Sequence, residues 1–158
     1  TVPVSGQDGR RSMTAIPAAA GREELRRTWQ LAWEKARGGQ PLSPLEALLA
    51  DVLRMHPEYH AAIGQEGALA RDWQPEGGES NPFLHMGLHV ALREGIAADR
   101  PAGLAEIAAT LAHARGDVHL AEHQLMDCLA ETLWEAERHR APPDEAAFLE
   151  RARRLAGR

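Results

Sequence analysis

Sheet-forming residues are scarce in this chain. Its 158 residues include only 5 Val and 4 Ile, against 29 Ala and 19 Leu. That balance is too poor in β-branched side chains for a sheet protein and suits an all-α one. Cysteine is nearly absent as well. The single Cys128 excludes an intrachain disulfide and fits a cytoplasmic address. A basic excess is missing: 18 Lys+Arg stand against 23 Asp+Glu, a formal net charge of −5. Nucleic acid and anionic membrane surfaces, which call for a basic patch, are therefore not expected partners. No apolar run approaches the ~20 residues of a membrane span. No charged segment followed by an apolar stretch marks a secretory signal. The length fits about one domain. What the chain has in unusual number is histidine, eight in all.

Residues 1–21 read as a disordered N-terminal tail, polar and without periodicity. Met13 is a candidate natural start, which would make residues 1–12 foreign to the protein. Residues 22–158 read as one bundle of six or seven helices. Leu25, Trp29, Ala32, Trp33 and Ala36 recur at three- and four-residue spacing in a first helix from Arg22 to Arg37, stopped by Gly38-Gly39. Ser43, Pro44 and Glu46 form a capping box and a proline start for a second. Pro57 interrupts that helix and opens a short turn to Ile63. The stretch 64–81 reads as a long loop, a candidate gate. Asn81-Pro82 starts a helix to Ala98 that is apolar on most sides, the mark of a buried helix. Asp99 and Pro101 are expected to open the next, to Ala114. Asp117 caps the longest, from Val118 to His139, and Pro142-Pro143-Asp144 starts the last.

Six histidines fall in three H-x-x-x-H pairs: His56/His60, His85/His89 and His119/His123. Random placement gives about 0.4 such pairs. Four-residue spacing puts both imidazoles on one helix face about 6 Å apart, where they can share one metal or face two. His85 and His89 continue a stripe with Met86, Leu92 and Ile96. His119 and His123 continue one with Glu122, Met126, Ala130 and Leu133. Imidazoles on core-facing stripes need partners, because an unpartnered buried polar group costs about 1–3 kcal/mol. One pair alone is a weak signal, and hydrogen-bonded core histidines are its ordinary explanation. Three pairs on three helices of one small domain favour a metal.

Glu122, one turn after His119, is the leading carboxylate. It is a candidate bridging ligand, orienter of an imidazole, or catalytic proton acceptor. Glu58 and Glu94 are expected in solvent, Tyr59 in packing, Cys128 as a small buried residue, and His113 and His139 at helix ends. His119-Leu-Ala-Glu122-His123 matches the order seen in inverted zinc metallopeptidases, but the all-α setting departs from them. A ferritin-like site would need Glu-x-x-His, which is absent. A hemerythrin-like site is nearer in ligand chemistry, though not in spacing.

The stretch Asn81-Pro-Phe-Leu-His-Met-Gly-Leu-His89 is the most specific in the chain. Leu-Glu-Ala and His-Pro-Glu-Tyr-His60 precede it, and Gly116-Asp-x-His-x-x-Glu-His123-x-x-Met126 follows. Together they resemble a bacterial family of small proteins described as a domain of unknown function, over about residues 22–156. The resemblance implies a bacterial cytoplasmic protein and makes the three His pairs part of a family signature. It implies no reaction. The residues themselves favour a metal ion (iron, zinc or manganese) in a mononuclear or dinuclear site built from the six paired histidines and Glu122. Redox, oxygen or hydrolytic chemistry would follow from an open position. Non-covalent haem is the alternative cofactor, since no C-x-x-C-H is present. A non-enzymatic interaction module with structural histidines is a third reading, and a homodimer stays open.

Overall fold

The computed structural model describes residues 22–64 and 81–157. The tail expected over 1–21, and residues 65–80 of the expected gating loop, lie outside the described residues. The architecture is all-α, with seven helices and no strand among the described residues: α1 (Arg22–Arg37), α2 (Pro44–Arg54), α3 (His60–Gly64), α4 (Pro82–Ala98), α5 (Leu104–Arg115), α6 (Val118–Arg138) and α7 (Glu145–Ala156). A 3-10 turn, Pro57–Tyr59, joins α2 to α3. No helix among the described residues is long and apolar enough to cross a membrane.

Local chemistry sets most of these boundaries. Ser43 Oγ accepts from Glu46 N at 3.2 Å and Glu46 Oε2 accepts from Ser43 N at 3.0 Å, the reciprocal capping pair that starts α2. Asn81 Oδ1 accepts from Phe83 N at 3.0 Å and Leu84 N at 3.3 Å. Asp117 and Asp144 do the same for α6 and α7, accepting from Leu120 N and Ala147 N at 3.1 and 3.0 Å. The start of α5 differs from expectation. Asp99 is left-handed, φ 50°, and ends α4 instead of opening a helix. Its Oδ1 then accepts from Gly103 N and Ala105 N, both at 3.0 Å, so it caps α5 from across a turn. The segment after Pro57 also divides, because the 3-10 turn gives way to α3 at His60.

The apolar stripes bury into two clusters. Trp29 and Ala32 of α1, Val52 and Leu53 of α2, Ile63 of α3 and Phe83, Met86 and Val90 of α4 form one. Leu92 of α4 joins Leu104 and Leu111 of α5, Leu125 and Leu129 of α6, and Phe148 and Ala152 of α7 in the other. Among the described residues α4 is the element common to both, which explains why its first half is apolar nearly all round.

Gly95 is where α4 meets the α5 turn most closely. A Cβ there would lie 2.8 Å from the Arg100 carbonyl oxygen and 3.3 Å from Leu104 Cδ2. Alanine normally gains up to ~1 kcal/mol over glycine inside a helix. Here the fixed backbone oxygen reverses the sign. Gly95→Ala is expected to destabilise by about 1–2 kcal/mol, read as a lowered Tm; an unchanged or raised Tm would show that the turn yields.

Candidate metal centre

Pro57 determines how the first histidine reaches the interior. It bars the residue before it from the helical region, and His56 sits at φ −124°, ψ 63° between α2 and the 3-10 turn. That conformation drives the His56 ring inward, where it is fully buried, 0% exposed. Its Nδ1–H donates to the Val52 carbonyl at 2.7 Å. A carbonyl only accepts, so the tautomer is set and Nε2 keeps a single lone pair. Two nitrogens compete for that lone pair. His85 Nε2 lies 3.0 Å away and His123 Nε2 lies 3.1 Å away. One lone pair cannot accept two good hydrogen bonds, so hydrogen bonding alone does not account for the convergence.

His89 completes the group. One nitrogen from each of His56, His85, His89 and His123 lies within 4.8 Å of the others. These residues come from the α2 end, from one face of α4 and from α6. The His89 ring is also 0% exposed. Its Nε2–H donates to Glu122 Oε2, and its Nδ1 is buried with no hydrogen-bond partner. Glu122 in turn accepts from Arg93 Nε at 3.0 Å. Burial works to raise the Glu122 carboxyl, but the hydrogen bonds from His89 and Arg93, with the Arg93 charge, hold it below the usual carboxylate range. The glutamate is therefore an anion paired to a guanidinium.

Three of the imidazoles, His56, His85 and His123, are held neutral. Burial, with the neighbouring His56, His123 and His89, pushes His85 down to about 4. Burial likewise lowers His56 against the opposing bond to Val52, and lowers His123 beside His119, His89 and His56. At neutral pH all three carry lone pairs, the form in which imidazole binds a metal. Two flanks enclose the group. On one, the His119 ring lies 4.0 Å from that of His123, and its Nδ1 is 3.3 Å from Met55 Sδ, which also meets Arg93 Nη2 at 3.4 Å. On the other, Tyr59 stands 5.6 Å from both the His56 and His85 rings.

Of the seven residues singled out in the sequence, the structure brings four imidazoles into one group and leaves three outside it. His119 is adjacent, turned to Met55. Glu122 lies behind His89 on Arg93. His60 points elsewhere, donating through Nε2 to the Leu53 carbonyl and packing against Trp33 at 4.4 Å. Two neighbours of the site, Arg93 and Met55, were not anticipated. Arg93 had a signal: it extends the four-residue spacing of His85 and His89 by one more step. Met55 had none.

No curated protein and no solved structure matches the chain. Residues 21–154 match a protein family described as Domain of unknown function (DUF1841), and because the match takes in most of the chain, the protein belongs to that family.

Proposed function

We propose that this protein binds a transition-metal ion through His56, His85, His89 and His123, within one helical domain spanning residues 22–158. The observation that carries this reading is the meeting of His85 Nε2 and His123 Nε2 on the one lone pair of His56, at 3.0 and 3.1 Å. A metal resolves that conflict, because it accepts all the lone pairs at once. Imidazole donors suit zinc, iron or manganese, with nitrogen favouring zinc and iron over manganese. Glu122 is the residue that orients His89, fixing which of its nitrogens is free. A site of this kind supports redox, oxygen or hydrolytic chemistry.

The haem reading has less support. Axial histidines face each other across the thickness of a flat macrocycle, whereas here the rings of His56, His85, His89 and His123 lie 4.8 to 6.5 Å apart in a mutual cluster. The purified protein is expected to carry about one equivalent of zinc or iron, with no Soret band. A strong chelator should remove the ion and lower the Tm, since binding to the folded form adds to stability. Metal-free protein whose Tm ignores both chelator and added metal would leave the histidines as structural residues of an interaction module.

A further inference from the structure

The donor group contains no anionic ligand among the described residues: it consists of four imidazoles, with no carboxylate or thiolate. Glu122, the carboxylate bonded to His89, is already matched by the Arg93 guanidinium at 3.0 Å. A divalent ion at this group would keep its full charge in a setting where His56 and His89 are shut off from water and His85 and His123 are half-buried. Burying an unmatched charge is costly, and proteins match it with a counter-charge. Among the described residues no anion belongs to the donor group, and Glu58 and Asp127 act on its imidazoles only from outside it.

The spacing of the nitrogens is compatible with a centre that takes one more ligand. With metal–nitrogen bonds of 2.0–2.1 Å, tetrahedral ligands sit about 3.3 Å apart and ligands at right angles about 2.9 Å apart. The contacts of 3.0 and 3.1 Å around His56 fall between these two values. A centre that expands to five ligands would have one position that four imidazoles do not fill. Beside the group stand two N–H donors with poor partners. His119 Nδ1 and Arg93 Nη2 both meet the Met55 thioether, at 3.3 and 3.4 Å. A thioether is a weak acceptor, so an anion placed there would displace it.

We infer that the centre takes a small exogenous monoanion as a further ligand on the metal, seated on the side of His119 and Arg93. This rests on the metal reading above and adds the class of ligand. The ligand supplies the missing negative charge, fills the open position and accepts a hydrogen bond from His119.

The test uses full-length protein stripped with chelator and reloaded with cobalt(II), with metal content measured by elemental analysis. Azide is then titrated while the visible cobalt bands are followed. The expected result is a saturable one-site change, with cobalt still bound after desalting. His119→Phe should retain cobalt and bind azide about tenfold more weakly, the effect of losing one charge-assisted hydrogen bond. Cobalt bound at one equivalent with bands that ignore azide overturns the anion site alone. Azide that strips the cobalt also overturns it, as does equal azide affinity in His119→Phe for the seat beside His119. Failure to take up cobalt at all overturns the four-histidine reading itself.

Discussion

Replacing His85 and His89 together with alanine is expected to abolish metal binding while α1, α2 and α5 to α7 stay helical. Both side chains belong to α4, so the change removes half of the nitrogen group at one stroke. His56 and His123 would remain, 3.1 Å apart, with His56 Nε2 now free to accept a single bond from His123 and nothing left in conflict. Loss of an outer-sphere partner alone reduces metal affinity about 10- to 100-fold, and loss of two direct ligands must exceed that. The measurement is metal content after dialysis against buffered metal, with circular dichroism confirming that helix is retained. Full occupancy in the double variant would sink the four-histidine centre. The single variant His60→Ala is the internal control. Its ring is committed to Trp33 and the Leu53 carbonyl, so metal content should not change.

The second large effect concerns Glu122. Its carboxylate, in a residue only 8% exposed, holds both the His89 N–H and the Arg93 guanidinium. Glu122→Leu keeps the volume and removes both acceptors. It leaves Arg93, with a side chain 22% exposed, without its counter-charge. Breaking one partner of a buried pair costs about 3–5 kcal/mol, and the partial exposure of Arg93 puts this case near the lower end. Chemical denaturation of the metal-free protein should show that loss. Metal affinity should fall by about 10- to 100-fold as well, because nothing then fixes the His89 tautomer. Glu122→Gln keeps an oxygen for the His89 N–H and should recover most of the metal affinity but not the ion pair. If Glu122→Gln binds metal as poorly as Glu122→Leu, the glutamate acts as a direct ligand and not as an orienter.

Much of the fold was legible because its punctuation is local. Capping side chains and prolines act within three or four residues, so Ser43, Asn81, Asp117 and Asp144 announce their helices without help from the rest of the chain. The start of α5 was not legible. Asp99 bonds to Gly103 and Ala105, four and six residues away, across a turn whose shape depends on α4 packing against α5. The site divides in the same way. His85/His89 and His119/His123 each lie on one helix, where spacing alone decides the shared face. His56/His60 has that spacing without a shared helix, because Pro57 and the 3-10 turn come between them. One ring enters the group and the other turns to Trp33. Within the α6 pair, what separates His119 from His123 is the position of Met55 on another helix end, 64 residues away in sequence. No pattern along a single helix contains that information.

The sharing of α4 between the two apolar clusters has a consequence for how the molecule comes apart. α4 cannot leave its place without exposing both cores. The histidines of α4 touch His56 at the end of the first half and His123 in the second. Any ligand that gathers these rings therefore fastens two cores through one joint. Its binding energy is felt by the first half and the second together, turning two adjoining packing units into a single cooperative one.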